Sequence, residues 1–173
     1  MTLDWKAVTE EVAATITPLR GSGRVADYIP ALAAIDPHKF GMSIVLGDGQ
    51  RHHIGDANEP FSIQSISKVF TLSMALRQVG ETLWQRVGRE PSGSAFNSIV
   101  QLEREQGIPR NPLINAGAIV VTDHLVEHLG TDPMLEQLIT RLRNLADDNS
   151  VAIDESVAQS ESAAGARNRA LAY

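Results

Sequence analysis

Cysteine is absent from the 173 residues. No disulfide therefore holds the fold together, and thiolate nucleophiles and cysteine-ligated metal sites are excluded. Aromatic residues are scarce, at 5%. No run of eighteen apolar residues occurs, so no segment reads as a membrane-spanning helix, and no membrane partner is expected. Positive charge is in deficit: 15 Lys and Arg against 21 Asp and Glu give a net charge of −6. Nucleic acid binding needs concentrated basic surface, so no nucleic acid partner is expected. The glycines form neither a G-x-G-x-x-G pattern nor a P-loop, and no nucleotide site or other cofactor is expected. The N-terminus, MTLDWKAVTEEVAATITPL, carries acids where a signal peptide has a basic start and an apolar middle. A cytoplasmic location is the resulting expectation.

What is present suits a soluble globular domain: 43% hydrophobic and 21% charged residues, over a length that can bury a core. Leu3, Ala7, Val8, Val12 and Ile16 recur at helical spacing, and Pro18 stops the run. Residues 25–34 read as a short helix, with Pro30 tolerable near its first turn. Residues 40–46 and 50–54 are β-prone and flank Gly47-Asp48-Gly49, a hairpin signal. Residues 65–79 read as a helix closed by Gly80, and 82–87 as a further turn or two. Residues 88–97 and 107–112 read as loops, and Glu103, Arg104 and Glu105 as a solvated charge run. Residues 114–129 read as a buried helix ending at Gly130. Thr131-Asp132-Pro133 then reads as the cap of an amphipathic helix bearing Leu135, Leu138, Ile139, Leu142 and Leu145. Residues 154–173 read as two short helices broken near Gly165. The expected fold class is α/β, mainly helical with a small antiparallel sheet element, in a single domain over 1–173.

The chemistry concentrates in FSIQSISKVF, residues 61–70. A serine hydroxyl needs a neighbouring base to act as a nucleophile, and a lysine amine can serve. Ser65 and Lys68 are three residues apart, a spacing that shares a helix face. Pro60, Phe61, Val69 and Phe70 are placed to wall off water around the pair. The spacing alone is weak, because S-x-x-K arises by chance in roughly half of chains this size, and a helix cap plus a surface lysine would explain it equally. Asn111 and Asn115 likewise suit loop and cap roles, Tyr28 a half-buried packing role, and Glu161 a solvated helix start. His52 and His53 sit on a likely strand and point to opposite faces. His124 and His128 have a spacing that zinc can use. The residues between them do not give the His-Glu-x-x-His order, so they read as surface histidines and no metal site is expected.

Taken in order, SGRVADYIPALA (22–33), FSIQSISKVF (61–70), GREPSGSAFN (88–97), NPLINAGAIV (111–120) and SESAAGARNRALAY (160–173) resemble the serine-dependent glutaminases. These are amidohydrolases related in fold to serine β-lactamases and penicillin-binding proteins. The resemblance covers nearly the whole chain and matches the N-terminal portion of the family's domain, so it implies a serine β-lactamase-like fold that is truncated. It implies hydrolysis of the γ-amide of L-glutamine through a glutamyl ester. Ser65 matches the nucleophile and Lys68 its base. Tyr28, Gln64, Asn115, Glu161 and Asn168 fall in the substrate-binding set, with Glu161 and Asn168 on the amino-acid end. It also implies a homo-oligomer. The family's remaining part would carry further strands, two more tyrosines, a Lys-Ser-Gly-like strand and an oxyanion-hole N–H. Two alternatives stay open: a penicillin-binding or β-lactamase-like acyl hydrolase, and a non-catalytic module that binds glutamine, glutamate or a protein partner.

Overall fold

The structure, a computed structural model, describes residues 3–173. Its contacts divide it into two units, residues up to Ser62 with 159–164, and residues 63–158 with 165–173.

In the first unit, α1 (Trp5–Ile16) begins at Asp4, whose carboxylate accepts from Ala7 N at 3.1 Å. Pro18 falls in the single 3₁₀ turn that follows, Thr17–Leu19. Strands β1 (Gly41–Val45) and β2 (Arg51–Gly55) pair antiparallel, with Met42 opposite Ile54 and Ile44 opposite His52. These four residues are half-buried and alternate with exposed neighbours, so one face of the hairpin is apolar, and α1 packs against β2. The turn is closed by Leu46 N donating to Gln50 O at 2.9 Å. Gly49 has φ 86°, a conformation that a side chain disfavours, and this is what the Asp-Gly signal announces. Among the described residues the sheet has two strands.

The helix expected over 25–34 is only one turn, α2 (Pro30–Ala33). Proline has no N–H to donate and its ring clashes with the preceding turn, so the helix starts at Pro30 rather than running through it. Ile29, just before it, is buried. The hydroxyl of Ser160 accepts from Ala31 N at 3.1 Å, which fastens residues 159–164 to the start of α2.

The second unit is helical. It contains α3 (Ser67–Val79), α4 (Ile99–Arg104), α5 (Asn115–Leu129), α6 (Thr131–Ala146), the first part of α7 (Glu155–Ala164), and α8 (Ala166–Ala172). Helices α3, α5 and α6 pack together, and Met74, Ala75, Val121, Leu125, Met134 and Leu138 fill the space between them. Leu83 and Val87, from the turn after α3, complete this core. The amphipathic reading of α6 was half right. Leu138 is buried, but Leu135 and Leu145 are exposed and Met134 takes an inward place. Nor do Thr131-Asp132-Pro133 cap α6. They form its first turn, and Gly130, at φ 83°, both ends α5 and precedes α6. Helix α4 had no distinct sequence signal. Its neighbour Glu105 is not a freely solvated charge, because Arg110 Nε donates to its carboxylate at 2.5 Å.

Candidate active site

The chain enters α3 through a single 3₁₀ turn, Gln64–Ile66. Ser65 is therefore one turn ahead of the α-helix proper, and it is exposed to solvent. Gln64, immediately before it, has φ 45°. A non-glycine residue in this region costs about 1–3 kcal/mol and persists where the surroundings impose it, often at functional sites. The expected water-excluding wall is not there. Phe61 and Val69 are largely exposed, while Phe70 turns into the helical core.

Lys68, three residues after Ser65, lies in the first turn of α3 and is half-buried. Its Nζ donates to Asn115 Oδ1 at 2.6 Å and to the Leu113 carbonyl at 3.1 Å. The Phe96 ring lies alongside, its centroid 5.8 Å from Nζ. Asn115 does not cap a helix as its position suggested. It is the first residue of α5, its backbone N–H donates to Phe96 O at 2.7 Å, and its side chain bridges two partners. With Oδ1 facing Lys68, Asn115 Nδ2 donates to Asn168 Oδ1 at 2.9 Å. Asn168 is carried by α8, which packs on α5. A row of side chains thus runs from Lys68 through Asn115 to Asn168.

The loop before α5 holds this row in place. Asn111 Oδ1 accepts from Leu113 N and Ile114 N, at 3.0 and 3.1 Å, so Asn111 takes the turn-forming role expected of it. Its Nδ2 donates to Glu90 O at 2.9 Å. Gly88 N donates to Pro109 O and Glu90 N to Arg110 O, so 88–90 and 109–110 run side by side. Gly117 lies where the loop backbone crosses α5. A Cβ there would fall 1.9 Å from Asn111 O, so only glycine allows that approach. Phe96 and Leu113 also line a cavity of about 650 Å³, together with Trp84, Arg89 and Pro112.

Tyr28 and Glu161 belong to the other unit. Tyr28 is 66% exposed, not the half-buried packing residue its surroundings suggested, and it lies in the irregular segment before α2. Glu161 is half-buried near the end of α7, next to Ser160, which binds Ala31 N. Ser65, Lys68, Gln64, Asn115 and Asn168 belong to the helical unit, and the hydrogen bonds above join Lys68, Asn115 and Asn168. Two contributors escaped the sequence reading. A backbone carbonyl such as that of Leu113 has no sequence signature, and Phe96 was visible only as part of a loop motif.

At the other end of α5, His124, Glu127 and His128 come together, with one donor atom from each within 4.8 Å of the others. His124 is not the surface residue expected. Its side chain is 12% exposed, lying under Glu127 and the guanidinium of Arg86.

The sequence model of the glutaminase family matches residues 23–173. The chain is 59% identical over 169 residues to a thermolabile glutaminase of Rhizobium etli and 56% identical to a glutaminase of Rhizobium rhizogenes, covering 98% of this chain and 55% of each relative. Among solved structures it resembles the probable glutaminase ybaS, with TM-score 0.86 and 34% identity, over 96% of this chain and 53% of that one. It also resembles a Bacillus subtilis probable glutaminase complexed with 6-diazo-5-oxo-L-norleucine, with TM-score 0.80 and 30% identity, over 100% of this chain and 52% of that one. The architecture is that of the serine β-lactamase-like fold, and the chain spans about half the length of the curated relatives it matches. The chain belongs to the glutaminase family.

Proposed function

We propose that this chain carries the nucleophile part of a glutaminase that hydrolyses the γ-amide of L-glutamine to L-glutamate and ammonia. The observation that carries the reading is the setting of Lys68. A neutral amine has two N–H groups and one lone pair. Leu113 O and Asn115 Oδ1 fix the position of Nζ, three residues along the chain from Ser65, and a neutral amine held there takes the serine proton on its lone pair. In this reading Ser65 Oγ attacks the amide carbon as its proton passes to Lys68. The proton then goes to the departing nitrogen, the C–N bond breaks, and ammonia leaves a glutamyl-Ser65 ester. Water, deprotonated by the same amine, cleaves the ester to glutamate and restores the serine. Asn168 fixes which end of the Asn115 amide faces Lys68. The family resemblance assigns Tyr28, Gln64, Asn115, Glu161 and Asn168 to substrate recognition, Glu161 as the carboxylate for the substrate ammonium and Asn168 as the amide at the same amino-acid end. It also supports a cytoplasmic homo-oligomer. Among the described residues no helix is long and apolar enough to cross a membrane.

The test is ammonia release from L-glutamine by the purified chain, alone and mixed with the C-terminal half of a relative. Turnover that Ser65→Ala and Lys68→Ala each abolish supports the proposal. A penicillin-type ester or lactam cleaved in preference to glutamine would favour the acyl-hydrolase alternative. Glutamine bound without turnover in either preparation, and less tightly after Glu161→Ala, would establish the binding module instead.

A further inference from the structure

The geometry points to a binding site for a divalent metal ion of the zinc class at His124, Glu127 and His128. The three residues occupy positions i, i+3 and i+4 of α5 and so share one face. The order is His-x-x-Glu-His, which places the carboxylate beside the second histidine. One nitrogen of each ring and one carboxylate oxygen already lie within 4.8 Å of one another.

Both rings are held so that a lone pair remains available. His128 Nδ1 is 2.8 Å from the His124 carbonyl. A carbonyl only accepts, so Nδ1 carries the proton and Nε2 presents the lone pair, the arrangement by which a backbone carbonyl orients a metal-binding histidine. His124 Nδ1 is 3.4 Å from Arg86 Nη1 and 3.8 Å from Glu127 Oε2. A guanidinium only donates, so this nitrogen also presents its lone pair. The proton then sits on Nε2, which is buried with no hydrogen-bond partner among the described residues.

The cluster already attracts one cation. Arg86 contacts Asp123 at 2.6 Å and Glu127 at 3.6 Å as well as His124. A metal ion would replace the guanidinium at His124 and Glu127, while Arg86 keeps Asp123. Bond lengths of about 2.0–2.2 Å place tetrahedral ligand atoms roughly 3.4 Å apart. Closing the cluster to that spacing is within reach of Glu127 and His128, which are both exposed. The site lies in the last two turns of α5, where the helix dipole favours positive charge. Two imidazoles and a carboxylate suit zinc, and three protein ligands leave a position for water. Asn115 is nine residues before His124 and thirteen before His128 on the same helix, roughly 14 to 20 Å away at 1.5 Å per residue, so this site is separate from the Lys68 row.

The experiment uses the untagged 173-residue chain, titrated with Zn²⁺ by calorimetry and with Co²⁺ by its visible absorption. One equivalent should bind. His124→Ala and His128→Ala should each weaken binding at least about tenfold. Arg86→Gln should tighten it by removing the competing cation, and His53→Ala should leave it unchanged. His128 is exposed, so His128→Ala tests the site even where His124→Ala perturbs folding. The proposal is overturned by the absence of saturable binding up to about 1 mM metal. It is equally overturned by binding that His128→Ala leaves intact, or by weaker binding in Arg86→Gln.

Discussion

The two units of the chain are built differently. The helical unit buries Ala75, Leu83, Val87, Val121 and Leu125 almost completely, on helices that pack along their lengths. In the hairpin unit, Ile29 is the one buried hydrophobic residue among those described, with Thr9 as its buried polar companion. Two strands, α1, the single turn of α2 and the end of α7 bury too little apolar surface to be independently robust. The contrast bears on function. Lys68, Asn115 and Asn168 sit on helices of the well-packed unit, where neighbouring side chains fix their rotamers. Tyr28 rises from an irregular segment of the thinner one. Lys68, Asn115 and Asn168 are therefore preorganised, and Tyr28 is held less tightly.

Hydrogen exchange on the native chain should show this most strongly. Amides of α3 and α5 should exchange at least about 100-fold more slowly than those of β1 and β2, because local opening is easier where few apolar contacts oppose it. Leu125→Ala should cost about 2–5 kcal/mol and erase the protection of α5. Equal protection in the hairpin and the helices would break the comparison.

Within the helical unit, Gly117→Ala should be the next most damaging change. Its methyl group would collide with Asn111 O, which is backbone and cannot swing aside, so the loop must move away from α5. The expected loss is about 1–3 kcal/mol in a denaturant titration, with a larger fractional loss in any glutamine turnover, because Leu113 and Asn115 move with the loop. Gly93→Ala is the control. Nothing lies within 4 Å of its would-be Cβ, and that variant should behave as wild type.

Much of this architecture was legible in the residues. The hairpin was announced by Asp48-Gly49, and the α3 and α5 boundaries by Gly80 and Gly130, because turn and cap geometry is local. The sequence reads as a helix over 25–34, but Pro30 is tolerated only in a first turn, so α2 starts there and is one turn long. Ser65 and Lys68 were visible as a spacing, but spacing is cheap. What distinguishes Lys68 is two acceptors 45 and 47 residues away, one of them a main-chain carbonyl. Contacts of that range depend on how α3 and α5 pack. The pairing of His124 with Arg86 was hidden for the same reason, since it joins positions 38 residues apart.

A smaller effect should separate backbone from side chain beside the nucleophile. Gln64 holds φ 45° at some cost, which glycine would not bear. Gln64→Gly should leave stability unchanged or raise it by about 1 kcal/mol, because relief of strain offsets the added freedom of the unfolded chain. If the side chain belongs to the substrate set, the same variant should raise KM for glutamine. A clear loss of stability would show that the side chain, not the strain, holds the turn.

The smallest effects come from two exposed ionisable groups, Lys39 in one unit and Asp148 in the other. In the hairpin unit the hydrogen bond to Glu59, aided by the charges of Glu59, Asp56 and Asp36, raises Lys39 above its ordinary value of 10.5 despite some desolvation. Its contribution is fully present below pH 10.5 and is lost as pH climbs through the raised value. In the loop after α6, the Ser150 hydroxyl and then its backbone N–H lower the Asp148 carboxyl below its ordinary 3.8. That contribution is present above pH 3.8 and is lost as pH falls through the lowered value. Alkali should therefore weaken the hairpin unit first, and acid the α6–α7 loop. Both groups are exposed, so solvent and salt screen them and melting curves will scarcely register either. Titration by NMR will. Ser150→Ala should move the Asp148 midpoint up toward 3.8, and Glu59→Gln should move the Lys39 midpoint down toward 10.5. Midpoints that stay where they are in both variants would mean that these contacts do not persist in solution, and that neither unit owes its pH response to them.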